Sequence, residues 1–334
     1  MADSRLSLAL ASGAAVLPAD GTICVVNPGA GSDLTALPAE RVRIVQRRKP
    51  DHDAWAARGY RVAAVPEGDC ALAVLYLPRA KDEARDLLAD AVTRTRGGPV
   101  IVDGQKTDGI DSLLKACRAR GHVGAPLAKA HGKLFVFGAA PDAMADWRVA
   151  EPAPIEGGFV TLPGVFSADG VDRASCLLAD ALPGLKGRVA DLGAGWGYLA
   201  ARALAASPDI AEMHLIEADH AALDCARINV ADPRARFHWA DATRFAPENA
   251  FDAVICNPPF HAGRSADPEL GRAFLRAAAA MLAPQGALYV VANRHLPYER
   301  ELGALFREVA ETGGDAGFKV IRASRPQGRP RPSR

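Results

Sequence analysis

The sequence predicts an α/β protein built from two tandem Rossmann-like domains, each a doubly wound and mostly parallel sheet. Three observations carry this expectation. The chain has 334 residues, more than one typical domain and comfortable for two. From Gly187 onward, short apolar β-type runs alternate with Ala/Leu-rich helical stretches, the pattern of right-handed crossovers between parallel strands. The first 150 residues repeat the same rhythm more faintly.

In chain order, Thr22–Val26 reads as a strand running into Asn27-Pro28-Gly29-Ala30-Gly31, and Val42–Gln46 as a second strand. Leu72–Leu77 is a third strand, closed by Pro78 and followed by a helix over Asp82–Thr93. Pro99–Val102 is a strand, Ile110–Arg118 a helix and Lys133–Phe137 a strand. Glu151-Pro152-Ala153-Pro154 and Gly157-Gly158 have linker composition, so the boundary is set at 150/151.

The second half is clearer. Strands are expected at Arg188–Leu192, Met213–Glu217, Arg236–Ala240, Phe251–Cys256, Ala287–Ala292 and Phe318–Ile321. Helices are expected at Tyr198–Ala206, Ala221–Val230, Pro268–Leu282 and Glu299–Ala310. Pro208, Pro233, Pro247 and Pro284 fall between elements. Laid over each other, the halves align: Ala71–Leu77-Pro78 matches Asp252–Pro258-Pro259, which puts Tyr76 where Asn257 stands. The reading is an internal duplication in which 1–150 has lost the chemistry and 151–324 keeps it. Residues 325–334 read as a flexible Arg-rich tail.

Composition excludes several classes. With 49% hydrophobic residues the chain can bury sizeable cores. A net charge of +1 rules out a wholesale electrostatic nucleic-acid binder, so any such contact must use local patches. The six cysteines form no CxxC pair and have no His at ligand spacing, against a zinc site or a disulfide framework. A reducing, cytoplasmic compartment is therefore expected. Leu6–Leu17 is Ala-rich and apolar, but only Arg5 precedes it as a base, with Asp3 offsetting it. No apolar run approaches the roughly 20 residues a membrane span needs.

The chemistry concentrates in two stretches. Asp191-Leu192-Gly193-Ala194-Gly195-Trp196-Gly197 places glycines at alternate positions after a strand, where the chain can turn tightly and a ligand can approach the backbone. A helix N-terminus follows. The same features serve a nicotinamide dinucleotide, but the carboxylate of Asp191 would repel a pyrophosphate and suits the cationic amino acid part of S-adenosylmethionine. Glu217, ending the next strand, can accept ribose hydroxyls. Asp241, with Ala242 beside it, can accept from the adenine amino group. Asp219 fits better as a helix cap.

Asn257-Pro258-Pro259-Phe260 ends the fourth strand. An exocyclic amine is a poor nucleophile because its lone pair is delocalised into the ring. Asn257 can accept one N–H on its side-chain oxygen and the carbonyl of Pro258 the other. Two prolines fix the backbone and offer no competing donor. Phe260 can stack on a base. Positioning then carries methyl transfer to nitrogen, with no dedicated general base.

These stretches, with Thr161–Asp172, Asn257–Gly263, Val291–Tyr298 and Phe318-Lys319-Val320, resemble the RsmC/RlmG type of ribosomal RNA guanine-N2 methyltransferase. The similarity spans essentially the whole second half. It implies a class I methyltransferase fold, S-adenosylmethionine as donor, and a guanine of ribosomal RNA, the small subunit favoured, as acceptor. It also implies that Phe166 and Ser167 border the cofactor, that His261 and Lys319 lie near the acceptor, and that the degenerate first copy assists folding and RNA binding without cofactor. Glu217 stands where Asp is common, and the Arg-rich tail departs from the pattern.

Arg41, Arg43, Arg47, Arg48 and Lys49 form one basic cluster, of which Arg47 and Arg48 are candidate RNA contacts. Arg322, Arg325, Arg329, Arg331 and Arg334 form another. The alternatives are methyl transfer to a protein glutamine or to adenine N6, a nicotinamide-dependent oxidoreductase, and a non-enzymatic RNA-binding protein. The expected partner is ribosomal RNA or a ribosomal subunit, with no metal and no membrane, and the expected state is monomeric.

Overall fold

The computed structural model describes residues 4–259, 261–262, 265–266 and 268–327. The chain divides into two compact units, one of residues 1–152 with 162–164, the other of 153–161 with 165–334.

The first unit has strands β1 (Ile23–Val26), β2 (Val42–Val45), β3 (Arg61–Ala63), β4 (Leu72–Tyr76), β5 (Val100–Gln105), β6 (His122–Val123), β7 (Leu127–Lys129) and β8 (Gly132–Gly138). Its helices are α1 (Arg5–Ala11), α2 (Lys49–Ala56), α3 (Lys81–Arg94) and α4 (Ile110–Arg118). The sheet runs β3-β2-β1-β4-β5-β8-β6, with β7 also on β8. Strands β1 to β5 are parallel, and β8 enters antiparallel to β5. Its central strands read as continuous apolar runs because both faces are covered.

The second unit opens with the short pair β9 (Ala153–Pro154) and β10 (Val160–Thr161). Its sheet contains β11 (Gly187–Leu192), β12 (Ile210–Glu217), β13 (Ala235–Trp239), β14 (Phe251–Cys256), β17 (Leu282–Asn293), β18 (Phe306–Gly314) and β19 (Phe318–Pro326). A small hairpin, β15 (His261–Ala262) and β16 (Ser265–Ala266), follows β14. The helices are α5 (Arg173–Ala181), α6 (Tyr198–Ala206), α7 (His220–Asn229), α8 (Pro268–Met281) and α9 (Tyr298–Leu305). The sheet order is β13-β12-β11-β14-β17-β19-β18. It is the order of the first unit, again with an antiparallel strand, β19, inserted beside the parallel set.

The duplication is therefore visible strand for strand. In the first unit Val26 pairs with Val45 and Leu75; in the second, Leu192 pairs with Ile216 and Cys256. One residue further, Asn27, Gln46 and Tyr76 stand where Gly193, Glu217 and Asn257 stand. One residue back from Leu192, Asp191 has Val25 as its counterpart.

Two expectations need correction. The helix expected over Glu299–Ala310 ends at Leu305, and Phe306–Gly314 is strand. Phe306 is already extended and buried, and pairing with β19 outweighs the helical preference of this Ala- and Glu-containing stretch. The last strand runs to Pro326, so Arg325 and Pro326 belong to the sheet and not to a tail. Arg329, Arg331 and Arg334 lie outside the described residues. No described helix is long and apolar enough to cross a membrane.

Candidate active site

Between β11 and β14 the direction of strand addition reverses, and open α/β sheets bind ligands in the crevice beyond the carboxyl ends of the strands at that point. Gly193, Glu217 and Asn257 leave their strands on one register line at this crevice. Asp241 follows β13 two residues after Trp239, which pairs with Glu217.

The glycine turn is held in left-handed backbone. Gly195 has φ +56°, and a Cβ there would meet nothing within 4 Å, so the turn borders open space. Its amide donates to Glu217 Oε2 at 2.8 Å, while Glu217 Oε1 accepts from the amide of Asp219 at 2.7 Å. Glu217 thus braces the turn from the neighbouring strand. Asp219 caps α7 by accepting from Ala221 N, the cap the sequence expected.

Asp191 is completely buried. Its Oδ2 accepts from Ala200 N in the first turn of α6 at 3.1 Å, and its Oδ1 has no hydrogen-bond partner among the described residues. Burial, with Glu217 nearby, pushes the carboxyl up to about 8. A cation reaching Oδ1 would restore the carboxylate, so the site fits a ligand with an ammonium group.

Asp241 Oδ1 accepts from the amide and hydroxyl of Thr243 at 2.9 and 2.7 Å, leaving Oδ2 without a partner among the described residues. Ala242 is buried beside it. The Phe166 carbonyl accepts from Trp196 Nε1 at 3.0 Å, which ties this segment to the glycine turn. The Phe166 ring is exposed, and Ser167, with φ +53°, closes its own loop by donating to Gly170 O.

Asn257 is anchored by residues the sequence reading passed over. Its Nδ2 donates to Asp172 Oδ2 and to Ser175 Oγ, both at 2.9 Å, and its Oδ1 is buried with no partner among the described residues. Asp172 caps α5 through Ser175 N. An Asp followed three residues later by Ser at a helix start was legible as a cap; that it grips Asn257, 85 residues downstream, was not. Pro258 is buried and Pro259 half-buried. Phe260 lies outside the described residues, and of His261 only the backbone, in β15, is described.

The remaining candidates differ from expectation. Lys319 does not present a free ammonium. It is buried on the inner strand β19, and its Nζ donates to Arg294 O, Leu296 O and Glu299 Oε1 at 3.2, 2.8 and 2.6 Å. Two protons hold the turn before α9 and the third holds Glu299 in its first turn. The first basic cluster is also dispersed. Arg41 binds four loop carbonyls, Arg47 pairs with Glu83 at 3.0 Å and Lys49 with Asp53. Arg48 is exposed at the start of α2. Among the described residues there is no cluster of three or more His, Cys, Asp or Glu able to hold a metal.

A family model described as "Methyltransferase small domain" matches residues 156–322. Ribosomal RNA small subunit methyltransferase C of Shewanella loihica is 32% identical over 258 residues, 74% of this chain and 75% of its own. The protein of that name from Pseudomonas paraeruginosa is 35% identical over 275 residues, 78% and 81% of the two chains. That of Idiomarina loihiensis is 30% identical over 330 residues, covering 92% and 94%. Among solved structures, the T. thermophilus 16S rRNA N2 G1207 methyltransferase (RsmC), in complex with AdoMet and guanosine, superposes with a TM-score of 0.76. It is 27% identical, and the match covers 93% of this chain and 90% of that one.

Proposed function

The chain belongs to the ribosomal RNA small subunit methyltransferase C family, and we propose that it methylates the exocyclic N2 amine of a guanine in small-subunit ribosomal RNA, with S-adenosylmethionine as donor. The observation that carries the reading is a pair of buried acceptors without a partner among the described residues, Asp191 Oδ1 on β11 and Asn257 Oδ1 just past the adjacent β14. One suits an ammonium and the other an amine.

In this reading Asp191 takes the ammonium of the cofactor, and the open side of Gly195, with Gly193 and Ala194, lets it lie against the backbone. Glu217 accepts ribose hydroxyls, Asp241 with Ala242 meets the adenine edge, and Phe166 and Ser167 border the site. Bound S-adenosylmethionine supplies a methyl group on a sulfonium; the N–C bond forms as the S–C bond breaks, and the nitrogen loses a proton. Asn257 Oδ1 and the Pro258 carbonyl accept the two amine protons and turn the lone pair out of the ring. Pro259 stiffens the turn, and Phe260 stacks on the base beside His261. Lys319 supports the neighbouring turn and Arg48 meets a phosphate, with Arg47 beside it. The first unit binds no cofactor and serves RNA binding. The protein works as a cytoplasmic monomer on ribosomal RNA or a ribosomal subunit.

The test is mass spectrometry of digested ribosomal RNA after incubation with the protein and S-adenosylmethionine. N2-methylguanosine is expected from the wild type and not from Asn257→Ala, with S-adenosylhomocysteine affinity retained in both. Heat on addition of NADH, with none from S-adenosylhomocysteine, would overturn the reading.

A further inference from the structure

A side-chain amide has two ends of similar shape and opposite hydrogen-bonding character, and only its partners decide which end faces a substrate. At Asn257 that decision is made by Asp172 and Ser175. Ser175 has a single hydroxyl proton, which it donates to Asp172 Oδ2 at 3.1 Å. Its oxygen can therefore only accept from the direction of Asn257. Asp172 Oδ2 also accepts from the backbone N–H of Ser175 at 2.8 Å, so the carboxylate is fixed at the first turn of α5. Both protons of Asn257 Nδ2 are consumed, one by each neighbour. Turning the amide over would set Oδ1 against a carboxylate oxygen and against a hydroxyl oxygen whose proton is already committed. Three oxygens would then face one another with only the Ser175 hydroxyl proton among them.

We propose that Asp172 and Ser175 are positioning residues that lock the Asn257 amide so that its oxygen alone meets the acceptor, making the site selective for a nucleophile that brings N–H groups. This rests on the methyltransferase reading above and extends it in two ways. First, it gives specificity. Buried Oδ1 has no partner among the described residues, so it favours an exocyclic amine and disfavours a carbonyl edge, which would leave two acceptors facing each other. Second, it gives electrostatics. As the attacked nitrogen acquires positive charge, a line of aligned dipoles runs from it through the Asn257 amide to the Asp172 carboxylate. The negative end is in place before the reaction, so no reorganisation is needed when charge develops.

The lock also explains a local choice of residues. Asp and Asn cap helices about equally well, so the cap alone does not call for an acid at 172. Ser175 is buried and donates to Asp172 as an ordinary cap could do without a hydroxyl. The demand for both the charge and the hydroxyl comes from Asn257.

The experiment uses the full chain and three substitutions. Asp172→Asn keeps a good cap and removes the charge; Ser175→Ala removes one acceptor. Each is expected to lower kcat about tenfold, the scale of one charge-assisted hydrogen bond, with S-adenosylhomocysteine affinity and melting temperature held. Asn257→Asp sets a carboxylate oxygen where Nδ2 was, against Asp172. Two carboxylates that close share a proton, so turnover of this variant should rise as pH is lowered from 8 toward 6. Adding Asp172→Asn should remove that pH dependence. A purely structural role would change melting and not the pH profile.

An arm independent of turnover uses selective 15N-asparagine labelling. The Asn257 side-chain protons should exchange slowly with solvent in the wild type and fast in Asp172→Asn and Ser175→Ala. Unchanged exchange, unchanged kcat, or an Asn257→Asp profile indifferent to residue 172 would each overturn the lock. A wild type with slow exchange that makes no N2-methylguanosine would overturn the function while leaving the lock standing.

Discussion

Replacing Asp191 by Asn should make the ligand-free protein more stable while removing its grip on the cofactor, and the gain should depend on pH. The carboxyl is fully buried, accepts one backbone N–H and is pushed up to about 8. An ordinary Asp titrates near ~3.9. Between these values the folded chain keeps a proton that the unfolded chain releases. The unfolded state is thus favoured progressively as pH rises through that window, and wild-type stability falls. Each pH unit costs about 1.4 kcal/mol, so the penalty reaches about 4 kcal/mol at pH 7 and levels off above about 8. Asn is isosteric, can accept from Ala200 N and carries no charge. Its advantage over Asp should be near zero at pH 4, grow to about 4 kcal/mol at pH 7, and flatten only above about pH 8. The assay is thermal melting of the transition that S-adenosylhomocysteine shifts, at pH 4.5, 6, 7 and 8.5. Below pH 8, wild-type affinity for S-adenosylhomocysteine should also fall, by up to about tenfold per unit, since the ammonium must displace a proton. Asp191→Asn should bind weakly at every pH. A stability difference constant from pH 4.5 to 8.5 would refute the reasoning, because it would mean that Asp191 is ionised throughout.

Two further outcomes follow from buried polar groups in the second unit. His214 Nδ1 and His238 Nε2 lie 3.0 Å apart, and both rings are held below the usual histidine range, chiefly by burial. The stability they contribute is present above the unfolded value of about 6.5 and is lost as pH falls through the lower folded values. A melt between pH 7.5 and 5 should show this loss in the wild type and a smaller one in His238→Phe; equal losses would refute it. Lys319→Met leaves two carbonyls of the turn before α9 without their donor, at about 2 kcal/mol, or roughly 4–8 °C in melting temperature for this unit. An unchanged melting temperature with lost RNA methylation would show instead that the ammonium serves the substrate.

What the sequence made legible was whatever depends on neighbours along the chain. The parallel strands announced themselves as apolar runs, and the glycine turn and Asn257-Pro258-Pro259 by spacing after strands. What pairing at a distance decides was hidden. Phe306–Gly314 has an ambiguous pattern and becomes a strand only because β19 lies beside it. The sequence did not show that the Lys319 ammonium is taken by the carbonyls of Arg294 and Leu296 and the Glu299 carboxylate. Asp172 carried no assigned role in the sequence, because its carboxylate serves Asn257 only where the start of α5 meets the end of β14.

The two copies of the fold differ in what lies at matching positions of the crevice. In the first unit the position of Asp191 is Val25, and that of Glu217 is Gln46. Gln46 is buried, donates to Pro28 O at 2.9 Å and accepts from Arg48 N at 2.9 Å. Trp55 donates to the same Pro28 carbonyl at 3.0 Å, and Asp51 accepts from Ala30 N at 2.8 Å. The loop after β1 is thus satisfied by its own neighbours, where the turn after β11 leaves Gly195 facing open space and Asp191 Oδ1 without a partner. Placing an acid there should therefore not create a site. Gln46→Glu trades a donor for a buried charge facing the Pro28 carbonyl. It should destabilise by about 2 kcal/mol or more, and with Val25 unchanged calorimetry should still count one S-adenosylhomocysteine per chain. A second equivalent, or a variant as stable as the wild type, would mean that the first crevice is latent and not filled.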